Sequence, residues 1–156
     1  MKKLSIVSLL CLFVYLFWPY LELWRLEQAA LKDDDMAVAS FIDLKAIQVG
    51  IKRRLNKDFS ESNTKMSDEF VIWIQDGIQR LGTKAVEELV DLRWVKQQLL
   101  TKNIVSKGGG FLRHIGYAAF TSPNKFLVRI GDVNSNPVYL HFVLSFRGWL
   151  LSAIYN

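Results

Sequence analysis

The sequence is poor in the residues on which most chemistry depends. It has one cysteine, Cys11, so an intramolecular disulfide framework is excluded. It has two histidines, His114 and His141, and a single acid after residue 91, Asp132, which leaves little with which to complete a zinc site. No His-x-His, His-Glu-x-x-His or Gly-x-Ser-x-Gly spacing occurs. Gly108-Gly109-Gly110 is followed by Phe111-Leu112 instead of the Lys-Ser/Thr of a phosphate loop, and reads as a hinge. Three prolines and nine glycines exclude collagen-like or linker-like sequence. No metal and no cofactor is expected from this inventory, and no catalytic residue stands out.

What the 156 residues do carry is apolar: 51% hydrophobic and 13% aromatic, with 22% charged. That is too apolar for a disordered chain and too charged for a multi-span membrane protein. The net charge of +5 is unevenly spread. Residues 19–91 hold ten Lys/Arg against fourteen Asp/Glu, whereas residues 92–156 hold eight against one. Such asymmetry marks either an anionic partner or two layers of one domain that attract each other.

After Met1-Lys2-Lys3, eighteen residues from Leu4 to Leu21 carry no charge. As a helix they cover about 27 Å, enough for a thin hydrocarbon core. Trp18, Tyr20 and Trp24 cluster at the far end, where aromatic rings favour the bilayer interface, and Lys2 and Lys3 favour the cytoplasmic side. A cleaved signal peptide is the rival, but the run leaves through the bulky Phe17-Trp18-Pro19-Tyr20-Leu21 without the small residues that cleavage needs. The expectation is a transmembrane anchor over 1–21, retained in the bilayer, and a single extracytoplasmic domain over 22–156.

That domain divides by period. Residues 22–107 read as helical. Leu23, Leu26 and Ala30 share a face, and Asp33-Asp34-Asp35 forms a turn able to cap the next helix. Asp43 precedes Leu44, Ile47, Ile51 and Leu55, and Asp91 precedes Leu92, Val95 and Leu99. Phe41-Ile42-Asp43-Leu44-Lys45 and Leu89-Val90-Asp91-Leu92-Arg93 each predict a short helix, an Asp N-cap and a new helix. Phe70, Ile74, Ile78 and Leu81 mark a further helix, closed by Gly82-Thr83. Over 111–156 the period becomes two. Phe126, Val128 and Ile130, then Val138, Leu140, Phe142, Leu144 and Phe146, form the more apolar face, which should meet the helices. Turn residues at Ser122-Pro123-Asn124, Asp132 to Pro137 and Arg147-Gly148 separate four strands near 115–121, 125–131, 138–146 and 149–155. Helices followed by an antiparallel meander give an α+β fold.

Pro19-Tyr20-Leu21-Glu22-Leu23-Trp24-Arg25-Leu26, Ala29-Ala30, Phe41-Ile42-Asp43, Leu89-Val90-Asp91 and the closing Phe146-Arg147-Gly148-Trp149-Leu150-Leu151-Ser152-Ala153-Ile154 resemble the domain-of-unknown-function 2939 family over nearly the whole chain. The resemblance implies a bacterial, membrane-attached or exported small domain of unknown activity, and supplies no catalytic residues. The chain departs from the family pattern after Asp91, where Leu92-Arg93-Trp94-Val95 replaces a proline-containing helix start. Helices against a curved meander also look like the cone-shaped nuclear-transport-factor-like fold, an analogy of shape alone.

Two surface features remain. Lys52, Arg53, Arg54 and Lys57 are basic, and read first as a solvated helix end where cations favour the negative dipole, ahead of a contact with anionic lipid headgroups or nucleic acid. Arg129 and His141 share the less apolar phase of their strands, and with Ser152 could line a small pocket for an anionic or polar ligand. The function expected is binding or assembly at a bacterial inner membrane, with the domain in the periplasm. The partners expected are the bilayer through residues 4–21 and an envelope protein, with no nucleic acid. The alternatives are a small enzyme with His141 as general base, a soluble periplasmic product after cleavage, and a cytoplasmic domain in reversed topology.

Overall fold

The computed structural model describes residues 2–60, 84–100, 110–131 and 137–155, with side chains over 6–54 in the first stretch. Helices come first: α1 Lys2–Leu31, α2 Asp35–Ser40, α3 Leu44–Ser60, α4 Ala85–Leu89 and α5 Leu92–Leu99. A 3-10 turn at Phe111–His114 leads into β1 Ile115–Ser122, β2 Lys125–Ile130, β3 Val138–Ser145 and β4 Gly148–Tyr155. The strands form one open antiparallel sheet in the order β1-β2-β3-β4, the α+β meander that the change of period predicts. The helix around Phe70 to Leu81 with Gly82-Thr83, the side chains of Leu55 and Lys57, and Gly108, Gly109 and Asp132 lie outside the described residues.

Three aspartates make the turns between helices. The Asp34 carboxylate accepts from the backbone N–H of Ala37 at 3.0 Å, Asp43 from Ala46 at 3.0 Å and Asp91 from Trp94 at 2.8 Å. Each satisfies a donor that the first helical turn leaves free, at about 1 kcal/mol. Asp91 caps α5 although no proline follows it.

The segment between α2 and α3 also closes an edge of the sheet. Ile42 bridges Leu151 in parallel; Asp43 N–H donates to the Leu151 carbonyl at 2.9 Å, and Leu151 N–H donates to the Phe41 carbonyl at 2.8 Å. Part of the β4 edge is thereby paired, which removes a site for unwanted strand addition.

The core lies between the helices and one face of the sheet. Leu23, Leu26, Ala29 and Ala30 of α1 are buried with Ile47, Ile51, Val95 and Leu99. Opposite them stand Phe126, Val128, Ile130, Val138, Leu140 and Phe142, every second residue of β2 and β3. Phe146, expected on this face, lies instead in the β3–β4 turn and is 96% exposed. The strand ends at Ser145, and Gly148 at φ 108° closes the turn in a conformation that favours glycine.

Ion pairs tie the helices together. Lys96 of α5 binds Asp33, and binds Asp35 at 2.7 Å, which fixes the α1–α2 turn where Asp33 adopts φ 57°. Hydrogen bonding to Lys96, then its charge, lowers the Asp33 pKa, and the two aspartates raise that of Lys96. Gln48 Nε2 donates to the carbonyls of Val90 at 2.9 Å and Glu87 at 3.3 Å. Lys52 binds the Glu87 carboxylate at 2.7 Å, lowering its pKa. Arg54 stands 6.0 Å from the ring centroid of Tyr155. The basic residues at 52 and 54 thus have partners within the domain.

Candidate functional site

The most unusual surface is on α1. The helix runs unbroken through residue 21, the limit at which the sequence divides anchor from domain, and through Pro19, whose missing N–H leaves the Tyr15 carbonyl without its helical donor. Its first half is apolar and exposed on every side: Leu10 is 64% exposed and Phe17 63%, with Ile6, Val7, Leu9, Leu12, Phe13 and Val14 alike. By length and composition Ile6–Leu31 is able to cross a membrane.

Contact with the sheet begins at Tyr15. Its ring stacks on Phe120 at 5.8 Å between centroids and lies 6.5 Å from Trp149. Pro19 is buried one turn on. The Tyr20 ring meets Phe126 edge-on at 4.9 Å, and its hydroxyl donates to the Ala118 carbonyl at 3.2 Å. Phe120, Phe126 and Trp149 complete an aromatic cluster with centroids 5.2 to 6.3 Å apart. Of the candidate interface residues, Tyr20 therefore holds the sheet. Trp18 is exposed, with its indole N–H donating to Glu22 at 3.0 Å, and Trp24 is half exposed. Lys2 and Lys3 open the helix.

Further along α1, Glu27 is a carboxylate only 7% exposed. It accepts from the backbone N–H of Leu112 at 2.7 Å and so caps the 3-10 turn from another element. A methyl group at Gly110 would overlap this carboxylate, so the last of the three glycines makes room for it. Sequence reasoning missed Glu27. The available signal was a lone acid one residue after Leu26, inside the stripe formed by Leu23, Leu26 and Ala30.

Arg129 and His141 lie on the sheet face turned away from the core. Arg129 pairs with Tyr139 and His141 with Leu127, so the two are diagonal neighbours on adjacent strands. Both are half buried. The Arg129 guanidinium lies across Gly116, where a Cβ would stand 3.0 Å from it, and its Nε is buried without a hydrogen-bond partner among the described residues. His141 meets the Tyr155 ring edge-on at 5.1 Å. Burial, then the Lys125 charge, lowers its pKa, so the imidazole is neutral at pH 7. A neutral imidazole beside a guanidinium can hold a polar or anionic group. Ser152, at a β-bulge, donates its hydroxyl to the His141 carbonyl at 3.1 Å. Among the described residues no group of three His, Cys, Asp or Glu side chains gathers to hold a metal.

No curated protein and no solved structure matches the chain significantly, so the cone-shaped analogy gains no support from a solved relative. A family model does match, over residues 8–99, which takes in α1 from Ser8 onward and α2 to α5, and leaves the sheet and the closing Phe146-to-Ile154 motif outside. The chain belongs to that family, described as Protein of unknown function (DUF2939).

Proposed function

We propose that the protein is a single-pass, membrane-anchored bacterial envelope protein that works by binding or assembly and has no chemistry of its own. The N-terminus lies in the cytoplasm and the α+β domain in the periplasm. One observation carries this reading: the apolar surface exposed around the first half of α1 has no counterpart elsewhere among the described residues, and water would not tolerate it. The join to the domain supports retention over cleavage. Removal of 1–21 would strip Tyr15 and Tyr20 from the sheet they pack on. A tether of this kind keeps the domain at high local concentration beside envelope partners.

Alkaline carbonate extraction of the full chain, with reporter fusions at the C-terminus, tests the proposal. Retention in the membrane pellet and a reporter active only in the periplasm are expected. A soluble product lacking its first residues, or a reporter active in the cytoplasm, contradicts it. A second reading, a small polar ligand on the outer sheet face, is favoured by the buried, unpartnered Nε of Arg129 beside His141. Thermal-shift screening that finds a ligand lost on His141→Ala and Arg129→Ala would favour it.

A further inference from the structure

The two hairpin turns of the sheet point the same way as the exposed half of α1. Ser122 pairs with Lys125 and Ser145 with Gly148, so the β1–β2 turn at 123–124 and the β3–β4 turn at 146–147 close their hairpins. The backbone N–H of Leu144 donates to the Asn124 carbonyl at 2.9 Å, which puts both turns at one end of the sheet. Tyr15 contacts Phe120 and Trp149 near that end, whereas Glu27, twelve residues on, contacts Leu112 before β1 begins. The apolar half of α1 therefore leaves the domain past the turns.

Length then constrains where the turns sit. A hydrocarbon core of about 30 Å takes about 20 helical residues, which counted from Lys3 end near Leu23. Tyr15 already touches the sheet, about 12 Å of helix before that point. Leu16, Phe17, Leu21 and Trp24 stay exposed alongside. The domain therefore cannot stand clear of a bilayer that α1 crosses, and its turn end is held at the membrane.

The chemistry at that end suits the position. Phe146 is 96% exposed, a ring with no place in the core. Arg147 stands beside it, with the guanidinium carbon 5.8 Å from the ring centroid. Lys125 is exposed on the neighbouring turn with Pro123 and Asn124. An aromatic ring with Arg147 beside it and Lys125 exposed at the start of β2 matches an anionic lipid interface; neither turn itself holds an acid, and the Glu22 carboxylate near Gly148 is held by Trp18 and Arg25.

We propose that these turns make a second, peripheral contact with the bilayer, Phe146 entering the boundary between headgroups and acyl chains, and Arg147 and Lys125 binding anionic headgroups. This rests on the membrane reading of α1. The test uses the full chain carrying Cys11→Ser, reconstituted in phosphatidylethanolamine–phosphatidylglycerol vesicles, with a polarity-sensitive fluorophore placed through Phe146→Cys, Phe13→Cys or Arg113→Cys. A blue-shifted emission quenched by brominated lipids at positions 13 and 146, with position 113 unquenched, is expected. Arg147→Glu should reduce the quenching at 146 and leave that at 13 unchanged. Quenching at 13 with 146 as unquenched as 113 overturns the proposal and leaves the anchor standing. The absence of quenching at 13 overturns the anchor as well. Quenching at 146 that Arg147→Glu leaves unchanged overturns the headgroup contact.

Discussion

Between Ile6 and Val14 the side chains of α1 stand exposed on every side of the helix, whereas between Leu23 and Ala30 the stripe of Leu23, Leu26, Ala29 and Ala30 is buried and Trp24 alone of the large apolar side chains is exposed. The first stretch has no polar residue beyond Ser8 and Cys11; the second interleaves Arg25, Glu27 and Gln28 with its core positions. A helix apolar all round needs an apolar solvent, and one apolar on a stripe needs a neighbour. The two requirements meet within a single helix, over the turns around Tyr15 and Tyr20, where aromatic rings serve the sheet on one side and leave Phe17 and Leu21 free on the other.

The largest effect should come from the buried half. Leu26→Ala opens a cavity at a fully buried position and is expected to cost about 3 kcal/mol in denaturant unfolding. Leu10→Ala, in the exposed half, should leave that unfolding free energy unchanged while weakening retention in membranes. Equal losses of stability at both sites would erase the distinction between the halves. Gly110→Ala comes next, because its methyl group overlaps the Glu27 carboxylate: a loss of about 2 kcal/mol is expected, reduced when Glu27→Ala is already present. An additive double mutant would show that the two residues do not meet.

Asp91→Ala should cost about 1 kcal/mol through the lost cap on α5, measured by the shift of the urea midpoint. The smallest effect is in pH. The folded state holds His141 below its ordinary pKa, so the unfolded chain takes up the proton first. Stability contributed by His141 is present above the unfolded value, about 6.5, and falls as the pH drops through it. His141→Gln should flatten the decline in midpoint between about pH 7.5 and 5.5; an unchanged slope would assign the decline to other groups.

Much of this architecture could be read from the chain. The Asp43 and Asp91 caps followed from an acid before each apolar stripe, and the sheet from alternation at Phe126 to Phe142, because caps and pleats are local rules. Phe146 broke the alternation since a turn, not a strand, holds it, and periodicity alone does not see where a hairpin closes. Glu27 and Gly110 were illegible as a pair because 83 residues of chain separate two groups that only the packing of α1 on the sheet brings together. Strand phase did place Arg129 and His141 on one face, and it could not show that Gly116 leaves the space over which the guanidinium lies.

The decisive measurement is a nitroxide scan of the full chain in vesicles, one label at a time from residue 6 to residue 31. Oxygen accessibility typical of lipid on every face up to Val14, giving way from Tyr15 to a period of 3.6 in which Leu23, Leu26 and Ala30 are shielded, is the predicted profile. Water accessibility on all faces between Ile6 and Val14 would contradict it.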